Sequence, residues 1–305
     1  MQVIDIKPRG YCKGVAKAII KARETRAQYP GQPVTVLGSI VHNRHVVEAL
    51  EAEGIAQVDE AGRSRLELLD LIDEGIVIFS AHGVSQAVRD KAAAKGLQLV
   101  DATCEDVLAT AEIIEDWLAD GGEVIYLGKH GHPESSGMCE GRPLVHLVTN
   151  AAELRQIAPQ LTRPILVTNQ TTLSLHDTGE LYALVLELLP EATLANEICS
   201  ATRVRQEAVM NHPDLDTLIV VGDPQSNNTA MLARMGEWAG IRLVLRVENV
   251  QGLAGLDLSN SERVGITSGA STPNAITTEV SNYLQAWSEA GEAPELPDTT
   301  VYSIL

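Results

Sequence analysis

Three times in this 305-residue chain a short apolar run leads into a cysteine that opens a helical pattern. Val3-Ile-Asp-Ile6 precedes Cys12 and the helical run Val15-Ala-Lys-Ala-Ile19-Ile20. Leu97-Gln-Leu-Val100 precedes Asp101-Ala-Thr-Cys104, and Thr193-Leu-Ala-Asn-Glu-Ile198 precedes Cys199 and Val204-Arg-Gln-Glu-Ala208-Val209. The start of a helix carries unpaired N–H groups and positive partial charge, so a strand-to-helix corner of this kind favours an anion. Whatever the chain folds into has to provide three such corners.

Between the cysteines, short β-branched runs recur, and each ends in a polar loop. Val34-Thr-Val-Leu-Gly38 leads to His42, Ile76-Val-Ile-Phe-Ser80 to His82, and Val124-Ile-Tyr-Leu-Gly128 to His130, His132 and Glu134. Ile165-Leu-Val167 leads to Gln170-Thr171, Leu218-Ile-Val-Val-Gly222 to Ser226-Asn227-Asn228, and Val264-Gly-Ile266 to Ser271. Helical patterns, such as Ala109 to Leu118 and Leu181 to Leu189, separate them. Continuous apolar strands alternating with helices indicate an α/β class built on parallel sheets.

The loops keep a nearly constant interval from the cysteines. His42 and His82 lie 30 and 70 residues after Cys12, His132 and Thr171 lie 28 and 67 after Cys104, and Ser226 and Ser271 lie 27 and 72 after Cys199. The cysteines themselves are 92 and 95 residues apart. The chain thus reads as three similar α/β units: residues 1–103, 104–198 and 199–290, followed by a C-terminal tail over 291–305. Ligands of open α/β sheets bind beyond the carboxyl ends of the strands, so units arranged about a pseudo-threefold axis would turn all these loops toward one central site.

The net charge of −18 argues against nucleic-acid or membrane-surface partners, which require excess Lys and Arg. No stretch approaches a membrane span and the N-terminus lacks a secretory pattern, so the expected location is the cytoplasm. Four scattered cysteines do not make a disulfide framework. Cys139 stands outside the repeat and reads as incidental.

Three repeated thiols can hold zinc with a histidine as fourth ligand, or an iron–sulfur cluster with one iron open to substrate. His42, His82 and His132, with Ser226, Asn227, Asn228 and Ser271, form a donor set suited to phosphate or diphosphate. His45, His130, His146, His176 and His212 read as ordinary solvated or hydrogen-bonded side chains. Glu134 is the carboxylate within these loops, and beside an anionic ligand its pKa should rise, as suits a proton donor.

With these residues assembled, the chain resembles the 4-hydroxy-3-methylbut-2-enyl diphosphate reductase family of the non-mevalonate isoprenoid pathway. The likeness runs from Pro8-Arg-Gly-Tyr-Cys12 to Ser268-Gly-Ala-Ser271-Thr-Pro273. It includes Val41-His-Asn-Arg44, Phe79-Ser-Ala-His82-Gly-Val-Ser85-Gln86, Asp101-Ala-Thr-Cys104, Gly131-His-Pro-Glu134, Gln170-Thr-Thr-Leu-Ser174 and Arg205-Gln-Glu-Ala208. The resemblance implies a cloverleaf of three α/β units around a 4Fe-4S cluster bound by Cys12, Cys104 and Cys199, with one open iron. His42, His82, His132, Ser226, Asn227, Asn228 and Ser271 would then hold the diphosphate of an allylic substrate. Thr171 would serve the substrate's hydroxyl end together with Glu134, the catalytic proton donor. The implied reaction is reductive dehydroxylation to isopentenyl and dimethylallyl diphosphate, with a ferredoxin or flavodoxin-type protein as electron donor. Lys129, Arg203 and Arg205 are candidates for a local basic docking patch.

The chain departs from the family pattern at Lys13, Glu105, Arg203 and Asn227. Two other readings accommodate these changes: a diverged paralogue using the same cluster on another small substrate, and a non-catalytic cluster or zinc protein that senses redox state or binds an anion. Glu134 beside Thr171 favours an enzyme, because a sensor has no use for a proton donor at an open iron.

Overall fold

The computed structural model describes residues 1–298, 302 and 304. The tail expected over 291–305 therefore lies partly outside the described residues. Among the described residues, twelve strands form three four-stranded sheets. One contains β2 (Val34–Leu37), β3 (Ala56–Val58), β4 (Ile76–Phe79) and β5 (Gln98–Asp101), in the order β3-β2-β4-β5. The next contains β6 (Glu123–Leu127), β7 (Val145–Val148), β8 (Ile165–Asn169) and β9 (Thr193–Leu194), in the order β7-β6-β8-β9. The last joins β1 (Gln2–Asp5) to β10 (Thr217–Val221), β11 (Leu243–Val247) and β12 (Arg263–Ser268), in the order β1-β12-β10-β11. Every pairing is parallel. The α/β class read from the apolar runs is thus observed, with one strand order repeated in all three sheets.

The fourth strand of each sheet is the one that leads to a cysteine. β5 pairs with β4 and leads to Cys104, β9 pairs with β8 and leads to Cys199, and β1 pairs with β12 and leads to Cys12. The last sheet is closed by the first strand of the chain. Internal contacts divide the chain accordingly into two compact units, one of Met1–Ala16, His42–Ala49 and Ser200–Leu305 and the other of Lys17–Val41 and Leu50–Cys199.

Burial explains why six strands were plain in the sequence and others were not. β2, β4, β6, β8 and β10 are buried along their whole length, and β12 nearly so, because helices cover both faces of a parallel sheet. The outer strands β3, β7 and β11 are short or only partly buried and carry weaker apolar patterns. Alternate residues of a strand face opposite sides. Leu218 and Val220 accordingly pack with Val209, Leu232 and Met235, while Ile219 and Val221 pack with Ile276, Val280 and Leu284. In β6, Ile125 and Leu127 join Leu154 and Val185, whereas Val124 and Tyr126 join Val107, Ile114 and Met138. No helix among the described residues is long and apolar enough to cross a membrane.

Ile6 lies just beyond β1, is buried, and packs with Leu215, Leu218 and Val220 from the other end of the chain. Ile6→Ala should therefore cost roughly 2–5 kcal/mol through lost burial and the cavity left behind. Urea unfolding followed by circular dichroism measures it; a change within error would mean that the N-terminal strand is not part of this core.

Candidate active site

None of the four cysteines is in a disulfide. Cys104 is the N-cap residue of the helix Glu105–Ala119, and Cys12 and Cys199 stand immediately before the helices Lys13–Gln28 and Ser200–Met210. The three strand-to-helix corners thus form where the sequence placed them. Each cysteine amide donates to a carbonyl on the neighbouring strand's exit loop: Cys12 to Ala270 at 3.1 Å, Cys104 to Ala81 at 3.0 Å and Cys199 to Thr171 at 3.1 Å. These carbonyls belong to, or directly precede, the loop residues Ser271, His82 and Thr171. At the first corner the Val15 amide also donates to Cys12 Sγ at 3.4 Å. Cys139 is different: it ends the helix Pro133–Cys139, and burial pushes its thiol pKa up to about 12.

In the unit formed by residues 17–41 and 50–199, Glu134 is the chemical centre. Its side chain is carried on the first turn of Pro133–Cys139, where Pro133 suits the N1 position and His132 is the N-cap. The Glu134 amide donates to His132 Nδ1 at 3.2 Å. Glu134 is 1% exposed, not a surface glutamate after a proline. Its Oε1 accepts from the Thr171 amide at 2.7 Å and the Tyr126 hydroxyl at 3.1 Å, and its Oε2 accepts from Thr171 Oγ1 at 2.9 Å. Burial raises the pKa from 4.5 to about 7, against the lowering effect of the Thr171 and Tyr126 hydrogen bonds. Nearby Asp106 adds a small further increase. A carboxyl poised near neutrality can hold a proton and give it up.

His82 and His132 meet edge to face with ring centroids 5.7 Å apart. Buried Ser80 shares a hydrogen bond with His82 Nδ1 at 3.2 Å, which fixes the orientation of the ring. Buried Gln170 braces the Glu134 loop, its Oε1 accepting from the Lys129 amide and Ser135 Oγ, both at 3.2 Å. His82, His132, Glu134 and Thr171 thus lie in one unit, linked through loop backbone to Cys104 and Cys199.

The other unit gathers the small polar donors. Ser226 is the N-cap of the helix Asn227–Trp238, its Oγ accepting from the Thr229 amide at 3.3 Å. Ser271 Oγ donates to the His42 carbonyl at 2.9 Å and lies 3.5 Å from Ser226 Oγ. Asn228 Oδ1 accepts from the Ala270 amide at 2.9 Å, directly beside the carbonyl that holds Cys12. Asn227 occupies the first turn of the same helix. The Ser226 loop lies close against the Ser271 loop because Gly222 and Gly269 have no side chains. A Cβ at either position would come within 2.4 Å or 2.2 Å of Thr229 Oγ1. Arg205, a docking candidate from the sequence, is buried and donates to the Gly10 carbonyl at 2.8 Å.

Tyr126, Ser80 and Gln170 were not singled out as site residues from the sequence. Tyr126 and Ser80 were hidden inside apolar strand runs. Their signal was a polar atom within a run otherwise fit for a core, two to eight residues before a site residue.

The LytB protein family model matches residues 3–285. The 4-hydroxy-3-methylbut-2-enyl diphosphate reductase of Symbiobacterium thermophilum is 46% identical over 290 residues, covering 94% of this chain and 98% of the relative. The reductase of the same name from Geobacillus sp. is 44% identical, covering 93% of this chain and 90% of the relative. The solved E-1-hydroxy-2-methyl-but-2-enyl-4-diphosphate reductase from Plasmodium falciparum is similar to the chain with a TM-score of 0.83 at 30% identity, over 93% of this chain and 87% of that one.

Thr171→Val removes the hydroxyl that donates to Glu134 Oε2 while keeping the shape and the amide. The carboxyl should then titrate above about 7, because the lost hydrogen bond is one that lowers its pKa. Infrared difference titration of the purified protein reads this directly, and an unchanged midpoint would remove Thr171 as a determinant of the carboxyl's charge.

Proposed function

The chain belongs to the LytB protein family, and on that premise we propose that it reduces 4-hydroxy-3-methylbut-2-enyl diphosphate to isopentenyl and dimethylallyl diphosphate. The observation that carries the reading is a buried carboxyl, Glu134, held on Thr171 with a pKa of about 7. The reaction replaces a C–O bond by a C–H bond: two electrons and two protons enter, and water leaves. Hydroxide is a poor leaving group, so a proton must reach the departing oxygen.

The donor set fits an iron–sulfur cluster: Cys12, Cys104 and Cys199 are partly buried thiols outside any disulfide, each at the start of a helix and each fixed by its amide. A 4Fe-4S cluster held by these three, when bound, supplies the electrons and a Lewis-acidic iron for the substrate oxygen. Electrons come from a ferredoxin or flavodoxin-type protein.

The remaining work falls to the chain's own groups. We assign His42, His82, His132, Ser226, Asn227, Asn228 and Ser271 to the diphosphate. Neutral amides and hydroxyls hold an anion without adding titrating groups, and the histidines can add positive charge. Anchoring the diphosphate positions the hydroxyl end for reaction. Thr171 hydrogen-bonds that hydroxyl, and Glu134 delivers its proton there.

Glu134→Gln should lower kcat by about 10²–10⁴, the usual worth of a positioned general acid. Anaerobic turnover with a chemical reductant, following both products, tests it. Activity of the unaltered protein should fall as pH rises through about 7, where Glu134 loses its proton. Full activity of Glu134→Gln would remove Glu134 from the mechanism.

Cys104→Ala should abolish binding of a complete cluster. Iron and sulfide content and the visible absorption band after anaerobic reconstitution report this. A variant that still held a complete cluster would overturn the ligand assignment.

A further inference from the structure

Tyr126 is fully buried in a cluster otherwise made of apolar side chains, with Val107, Ile114, Val124, Met138 and Leu166 around it. A phenol in such a place is costly unless its hydroxyl is paired. The hydroxyl donates to Glu134 Oε1, from a strand that ends before the turn bearing the acid. Gly128 makes room for this arrangement, since a Cβ there would come within 2.9 Å of the Tyr126 ring and 2.5 Å of Ser135 Oγ.

The three hydrogen bonds to Glu134 are unequally shared. Oε1 takes two fixed donors, the Tyr126 hydroxyl and the Thr171 amide, and Oε2 takes the Thr171 hydroxyl. An amide cannot accept a proton in return. The Thr171 hydroxyl can rotate and become the acceptor, whereas the Tyr126 hydroxyl, enclosed by apolar side chains, would leave its hydrogen unpaired if it turned away from Oε1.

We propose that Tyr126 is a positioning residue for Glu134: with the Thr171 amide it saturates Oε1, so that the transferable proton resides on Oε2 and faces the Thr171 hydroxyl. The inference rests on Glu134 being the proton donor and goes further by assigning the proton to one oxygen. In the protonated state Oε1 is the doubly hydrogen-bonded carbonyl oxygen, and Oε2–H donates to Thr171 Oγ1. Transfer to the departing hydroxyl then proceeds along one path, with Thr171 passing on a proton as it receives one. Burial raises the Tyr126 pKa well above its ordinary value, so the phenol remains a donor throughout the working range.

The titratable groups facing this pair are few. Asp106 approaches Glu134 from the helix Glu105–Ala119, His132 accepts from the Glu134 amide, His82 meets the His132 ring, and Cys139 adjoins Tyr126. Cys139, with its thiol raised to about 12, is uncharged near neutrality. With His132 and His82 this close, the readout must report the Glu134 carboxyl itself.

The test is Tyr126→Phe, which keeps the ring in the core and removes only the hydroxyl. Infrared difference spectra of the protein without substrate, using Glu134→Gln to identify the band, follow the protonated carboxyl. Tyr126→Phe should shift the C=O stretch to higher frequency, because its oxygen loses a donor, and move the midpoint up by about half to one pH unit. Thr171→Val should leave the carbonyl with both donors and alter the O–H partner instead. In turnover, the alkaline limb of kcat should move upward in Tyr126→Phe with KM little changed. A C=O band and midpoint that coincide with those of the unaltered protein would overturn the proposal. Full turnover by Glu134→Gln would instead defeat the proton-donor reading while leaving the band shift intact, so the two failures are distinguishable.

Discussion

The hydrogen bond from each cysteine amide to the exit loop of the adjacent strand is the constraint on which the site depends. The chain between the edge strand and the cysteine differs at the three corners: six residues after β1, two after β5 and four after β9. Even so, all three connections end in the same N–H to carbonyl bond, at 3.0 to 3.1 Å. A parallel ladder explains the coincidence. Once β5 lies beside β4, the first bond beyond the strands, from Ala102 N to Phe79 O, extends their register, and the Cys104 bond follows. Ile6 to Ile266 and Ala195 to Val167 do the same for β1 and β9. The cysteine's place is therefore fixed by sheet pairing rather than by the length of the loop before it, and the helix that follows starts from a defined point.

The same geometry sets the chemistry of the second loop in each sheet. The carbonyl that holds the cysteine belongs to the residue just before His82 or Ser271, or to Thr171 itself. The side chains assigned to substrate are thus covalently next to the groups that fix the thiols. In the middle sheet the tether is tightest, because Thr171 gives its carbonyl to Cys199, its amide to Glu134 Oε1 and its hydroxyl to Oε2. One residue couples the cysteine corner to the acid. That coupling also limits what burial can do: desolvation alone would push the carboxyl higher, and the three hydrogen bonds restrain it near neutrality, where it can both hold and release a proton.

Much of this was legible in the sequence because the central strands are buried on both faces and so read as unbroken apolar runs. The nearly constant intervals from Cys12, Cys104 and Cys199 carried the repeat, and the polar residues at the run ends carried the loops. Three things were not legible. The outer strands β3, β7 and β11 bury less and lack a distinct pattern. The closure of the last sheet by β1 is a pairing between residues more than 250 positions apart, which no local period encodes. Tyr126 was read as one more apolar strand residue, since a tyrosine ring satisfies the core pattern and only its hydroxyl serves the site.

Two of the departures from the family pattern, Glu105 and Asn227, have a defined local setting in the structure. Glu105, beside Cys104, forms an ion pair with Lys17, and both side chains are more than half exposed, so water and salt screen what charge remains. Asn227 is buried in the first turn of Asn227–Trp238, where amide N–H groups are already directed outward from the helix end. Asp223, at the entrance to that loop, accepts from the Gln225 amide of its own turn and from the Arg44 amide. An overall charge of −18 is compatible with an anionic substrate where acidic groups near these loops, such as Glu105 and Asp223, are paired or bound to backbone. Buried Glu134 has a pKa at which it can be neutral when the diphosphate arrives.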